Sequence, residues 1–297
     1  VVFDVRSYAD GTHEIDVAVN NTLNVTATDA VSYDVAITVG GQIRFIRSGV
    51  LHHAFKRWRT TVASTGFARA EVLPDYGVFV RSGALPDFRS GFVNRSFPTS
   101  GAGFDILQAG QLTIPMTSTG GRFELGPRPD PVALYSKFPT AAHLGEITYY
   151  GGNPSAFWTT HITEADGTSL VSLDAKPAFW FDPSRRFVAP DGIRGPANDM
   201  RGTAPSDDGD PAHYPSLAFA PYVMTGQRWY ADEIRFTANY HLIRANWARS
   251  GAQAIFVFDY QKRGTAWAVI KISEEPKSLP NTFTFFYNFD SESKRMQ

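Results

Sequence analysis

The chain has 297 residues, with 28 basic against 29 acidic side chains, a formal net charge of −1 and no cysteine. That length can bury a sizeable core and exceeds the usual single domain; the balanced charge leaves no cationic surplus for a nucleic-acid backbone or an anionic membrane. The missing cysteines remove disulfides, thiolate metal sites and thiol nucleophiles together, and no run of about 18 apolar residues appears that could form a spanning helix.

Aromatic residues make up 14% of the chain, and 25 Gly and 19 Pro punctuate it into short segments, as in an all-β architecture with many turns. It opens at VVFDVRSY, without an initiating Met, a basic n-region or an apolar h-region, the start expected when the N-terminus is processed or lies upstream. Over roughly the first 100 residues, apolar side chains recur at period two. Ile15, Val17 and Val19 share one face, as do Val31, Tyr33, Val35, Ile37 and Val39, so half-buried antiparallel strands are expected. Asp10-Gly11 and Gly40-Gly41 supply hairpin turns, because primed turns need a positive φ that Gly adopts freely. A meander is expected at the start.

From Ser96 to Asp210 the sequence is loop-rich, with GAGFDILQAG, TSTGGRFELGPRPDP and YYGGNPSAFW separating short strands such as Leu112-Thr113-Ile114. Arg185 to Ala212 is rich in Pro, Gly and Asp, as an extended crossing between domains would be. The expected division is an antiparallel β domain with long loops over residues 1–200, then a helical hairpin and an irregular end over 201–297. Tyr214 to Met224 and Trp229 to Ile243 read as helices joined at Gly226, a suitable C′ residue; Ala231, Ile234, Ala238 and Leu242 follow i, i+3, i+7, i+11. A third helix-like run covers Ala266 to Ile272, followed by a Phe- and Thr-rich end that suits neither a helix nor a polar tail.

The stretches FDVRSYADGTHEIDVAVNNT, VSYDVAITVGGQIRF with LHHAFKRWR, TGGRFELGPRP, and HYPSLAFAPYVMTGQRWYADEIRFTANYHL leading to RGTAWAV resemble large proteins of tailed bacteriophages and prophages. Those proteins share domains with exo-rhamnogalacturonan lyase-like proteins of the RIFT-barrel type. The resemblance runs from Phe3 to Val269 and rests on structural punctuation rather than on a catalytic signature. It implies a mainly β fold, an antiparallel β-sandwich or barrel-like domain followed by a short α-helical region, with only part of an α/α toroid present. It also implies a virion-associated structural protein of a tail, baseplate or capsid-associated part. The expected partners are other virion proteins, copies of itself and host surface glycan, in an extracellular particle, with no cofactor and no nucleic acid.

A polysaccharide lyase acting on acidic glycans, or a glycosidase, is the enzymatic alternative. A lyase needs a cation at the uronate carboxylate, a base and an acid, for which His213, Arg235, Tyr240, His241 and Arg244 are candidates beside Tyr214. On a helix Tyr240 and His241 point about 100° apart, whereas His241 and Arg244 lie at i, i+3. His52 and His53 with Lys56, Arg57, Trp58 and Arg59 form the densest polar-aromatic cluster, able to bind an anionic sugar. On a strand those two His face opposite sides and share no metal. A non-catalytic glycan-binding module would use aromatic faces such as Trp158, Trp180, Trp229 and Tyr230. Asp207, Asp208 and Asp210 are oxygen ligands for a calcium ion but lack an EF-hand pattern, so a solvated linker is the plainer reading. Asp232 and Glu233 diverge as helix neighbours, and no GxSxG, HExxH, Walker or GxGxxG motif occurs.

Overall fold

The computed structural model describes residues 1–22, 30–68, 72–90, 105–112, 122–126, 128–176 and 214–245, with Ile270 and Glu274. The Arg185 to Ala212 crossing, the Asp207, Asp208 and Asp210 cluster, His213, Trp180 and the C-terminal 22 residues of the expected irregular end lie outside them, as does most of the helix-like run at Ala266 to Ile272.

Among the described residues five strands form two antiparallel sheets: β1 (Val2–Ser7), β2 (His13–Asn21) and β5 (Lys56–Ala63) in the order β1-β2-β5, and β3 (Val31–Val39) with β4 (Gln42–His52). Both expected turns close hairpins. Gly11 stands at φ 80°, with Asp10 accepting from the Thr12 amide at 2.9 Å, and Gly40 and Gly41 stand at φ 58° and 77°. The meander stops after β2, however. The second neighbour of β2 is β5, in register from Glu14↔Ala63 to Asn21↔Lys56, so the β3–β4 hairpin is an excursion from the sheet rather than its continuation.

The three-stranded sheet is covered on both faces of its middle strand. On one face Val17 is buried, and Trp58 packs against Phe45 of the excursion at 5.8 Å between ring centroids. On the other face Glu14, Asp16 and Ala18 are all buried, and Ala18 joins a cluster with Ala156, Ala218, Trp229, Tyr230 and Ile234. The polar side of β2 is therefore no solvent face, which alternation alone does not reveal.

Among the described residues five helices accompany the strands: α1 (Tyr76–Arg81), α2 (Asp130–Lys137), α3 (Ala141–Tyr150), α4 (Phe219–Thr225) and α5 (Arg228–Ala245), with a 3₁₀ turn at Asn153–Ala156. The helices α2 and α3 occupy ground where the sequence suggested only strands and loops. Local signals nevertheless start them. Pro131 sits in the first turn of α2, and the Thr140 hydroxyl accepts from the His143 amide at 3.2 Å to cap α3. The α4–α5 hairpin forms around Gly226 as expected, with Gly226 at φ 66° and its amide donating to the Tyr222 carbonyl at 2.8 Å, but α4 starts at Phe219 and not at Tyr214, because Tyr214 to Ala218 approach it as extended chain and a bend. Among the described residues no helix is long and apolar enough to cross a membrane.

Candidate functional site

The polar-aromatic run at residues 52–59 is where chemistry-bearing side chains concentrate. It lies on the end of β4, a tight turn and β5. The turn brings Phe55 to φ 58°, a strained angle for a bulky residue, and its amide donates to the Asn21 carbonyl at 2.5 Å. Alternation along β5 then sends Arg57 and Arg59 to the face that meets α5 and sends Trp58 to the face that meets the excursion.

Arg57 is 2% exposed. Its guanidinium lies 4.2 Å from the centroid of Trp229 and 5.1 Å from that of Phe236. One nitrogen is 3.3 Å from Glu233 and the other 3.7 Å from Asp232. The two carboxylates diverge along the helix, yet both reach the same cation because it sits between them. Trp229, Asp232, Glu233 and Phe236 occupy i, i+3, i+4 and i+7, the stripe of α5 turned to β5.

Glu233 also meets His161 Nε2 at 2.9 Å. His161 Nδ1 faces the carbonyls of Trp158 at 3.1 Å and Phe55 at 3.3 Å. Carbonyls only accept, so a hydrogen on Nδ1 is what can serve them, and Nε2 is left facing the carboxylate. Both side chains are fully buried. Arg59, one step along, donates to Tyr230 Oη at 2.7 Å and to Gln227 Oε1 at 3.1 Å. Asn153 clamps the backbone of Arg59 from outside, accepting from its amide at 2.7 Å and donating to its carbonyl at 2.9 Å.

A second relay runs on the other face. Trp58 Nε1 donates to Tyr33 Oη at 2.7 Å, Tyr33 donates to His52 Nδ1 at 2.8 Å, and His52 Nε2 donates to the Lys56 carbonyl at 2.9 Å. Burial lowers the His52 pKa to about 4 and raises that of Tyr33, so the imidazole is neutral and each of these hydrogens has an acceptor.

Beside the outer edge of β5 opens a groove of about 320 Å³ whose walls include Phe45, Arg59, Thr61, Asp105, Tyr149 and Asn153. Burial pushes the Tyr149 phenol upward, and its neighbour Tyr150 adds to the shift. Asp105 is ion-paired to Arg47.

The sequence candidates fall into this frame as follows. His52, Arg57, Trp58, Trp229 and Tyr230 are buried, and His53 is half-buried, so most of the expected anionic-sugar cluster and the expected stacking faces of Trp229 and Tyr230 are spent on internal packing. Trp158 is buried too, against Tyr214 at 4.5 Å. Tyr240 and His241 are 1% and 0% exposed, and both rings meet Tyr214, at 6.2 Å and 6.0 Å. Burial, and secondarily Glu233, raises the Tyr214 pKa. Arg235 is half-buried on α5, and Arg244 lies in its last turn. The Arg57–Asp232–Glu233 set was not joined by the sequence reading, and His161 and Asn153 were missed. The Gly151-Gly152 pair before Asn153 marked only a turn. Among the described residues no group of three His, Cys, Asp or Glu side chains is disposed to hold a metal ion.

No protein-family model matches the chain, and neither a curated protein nor a solved structure matches it.

Proposed function

We propose that this chain is a structural, non-catalytic part of a tailed-phage or phage-like particle, with the β region as a rigid scaffold. The observation that carries the non-catalytic part is the burial of Arg57, His161, Glu233, Tyr240 and His241. A lyase needs such groups at a surface where a polysaccharide can lie. Here Arg57 ties β5 to α5 through Glu233, His161 joins Glu233 from outside the strands, and Tyr240 and His241 pack on Tyr214, as the internal ties of a load-carrying part do. The phage-type sequence resemblance supplies the setting: a sandwich or barrel-like β domain with a partial toroid, an extracellular particle, and contacts with other virion proteins and copies of itself. Electron microscopy of native particles containing the chain tests this. Density for it in a symmetric assembly is the expected result, and a free enzyme that cleaves uronate polysaccharide would overturn the reading.

The groove beside β5 favours a second reading, contact with a host glycan, because Tyr149 and Phe45 stand there with Arg59, Asn153 and Asp105. Glycan-array binding that disappears in Tyr149→Ala would support it; binding unchanged by that substitution would move the contact elsewhere.

A further inference from the structure

The strand β1 pairs with β2 along one edge only, and no strand lies along its other edge among the described residues. Two of the usual protections of a bare edge are missing, since β1 contains no proline and its pairing has no bulge; its six-residue length and its charges Asp4 and Arg6 remain, and they restrict which strand can join it. Its two faces differ. Val2 packs into the α5 cluster, whereas Phe3 is 61% and Val5 54% exposed on the opposite side. On the side of Val2, Asp4 stands directly across from Asp16, a like-charge pair. The nearby cation, Arg6, meets Glu14 at 3.0 Å and Asp16 rather than Asp4, and its side chain stays 29% exposed, open to a further carboxylate. Asp4 itself makes no ion pair among the described residues.

A strand that completes this edge must bring a cation opposite Asp4 and an apolar side chain opposite Val5. We propose that the occupant is β1 of a second copy of this chain, running antiparallel about a two-fold axis through Val5. The charge pattern selects that register. A two-fold axis normal to the sheet keeps each face on its own side, so it passes through a residue and never between two. Centred on Asp4 or on Arg6, it sets like charges opposite each other; centred on Phe3, it leaves Arg6 without an opposite residue in β1. Centred on Val5, it sets Asp4 opposite Arg6 of the second copy twice, Val5 opposite Val5, and Phe3 opposite Ser7. The two three-stranded sheets become one six-stranded sheet. The contact is small, so the pair is a weak one, formed as concentration rises. It deepens the scaffold reading by naming one self-contact, yet would form equally in a glycan-binding protein or an enzyme, so its failure leaves that reading standing.

The absence of cysteine makes the register directly testable. In the proposed pair the two Val5 Cα atoms lie about 4.5–5.5 Å apart, within disulfide reach, whereas the two Phe3 Cα atoms are separated by roughly 13 Å along the strands. Mild oxidation of Val5→Cys is expected to give a covalent dimer, and the same treatment of Phe3→Cys to give monomer. Light scattering of the unmodified chain up to roughly 0.5 mM, a range suited to a weak contact, should show reversible dimerisation that Asp4→Lys weakens at least tenfold, with unchanged circular dichroism. Monomer throughout the concentration series, or cross-linking of Phe3→Cys as readily as of Val5→Cys, would overturn the proposal.

Discussion

At the scale of single residues, Arg57 and Glu233 carry the heaviest electrostatic load. Both are buried, and their separation of 3.3 Å is long for a charge-assisted bond, so ring faces and a second carboxylate share the task of neutralising the guanidinium. Arg57→Ala leaves Glu233 and Asp232 without that cation and is expected to cost about 3–5 kcal/mol, read as a lower urea midpoint. Removing both charges in Arg57→Met with Glu233→Gln should recover most of the loss. His52 gives a prediction in pH. Its folded pKa of about 4 lies below the ordinary 6.5, so the unfolded chain binds the proton more readily. The stability is present above pH 6.5 and falls as pH drops from 6.5 towards 4, by on the order of 3 kcal/mol over the whole window. His52→Gln should flatten that part of a stability-against-pH curve. The cluster HHAFKRWR was legible in the sequence as a concentration of function-bearing groups. Its burial was not, because period two assigns Arg57 and Arg59 to one face without saying that α5 will cover it. His161 gave no signal, since a lone histidine in a Thr-rich stretch acquires its partner from α5, 72 residues away.

At the scale of elements, the contrast between two glycines measures how tightly the helices sit. A Cβ on Gly151 would meet Pro221 Cγ at 2.5 Å, the Leu217 carbonyl at 3.0 Å and Tyr230 Cε1 at 3.1 Å, where the end of α3 joins α4 and α5. Gly151→Ala is expected to destabilise by about 1–3 kcal/mol through overpacking. Gly145, inside α3, has nothing within 4 Å of its Cβ position, so Gly145→Ala should stabilise by about 0.5–1 kcal/mol. Thermal unfolding of the two variants should move in opposite directions. The helix α5 shows what was readable and what was not. Ala231, Ile234 and Ala238 are buried as the periodicity indicates, but so are Glu233, Asn239 and His241 on its other sides. A helix enclosed on several sides follows no single stripe, and its polar residues look like a solvent face until their partners are known. The helices α2 and α3 were obscured by the Gly- and Pro-rich loops around them, although Thr140 and Pro131 are ordinary helix-start signals.

At the scale of the whole molecule, nearly equal numbers of opposite charges and a pI of about 6.7 leave little mutual repulsion between copies near neutrality. Solubility is expected to pass through a minimum close to that pH and to recover on either side, which precipitation at increasing concentration would check. Antiparallel strands near the start and the α4–α5 hairpin were both legible, because each rests on local period and turn chemistry. The β1-β2-β5 order was not, because it depends on an excursion leaving and the chain returning, which only long-range packing decides.

Asn153 has one more consequence. By offering its amide to both the N–H and the C=O of Arg59, it stands where the backbone of a further strand would run, and so acts as a stopper on that side of the sheet. A sheet able to recruit at both margins grows into a fibre, whereas one stoppered at one margin and joined to its twin at the other comes to rest as a finite unit. A single carboxamide thus separates a discrete building block from an open-ended polymer in this arrangement; Asn153→Ala should loosen that limit, with filaments sought by negative-stain microscopy.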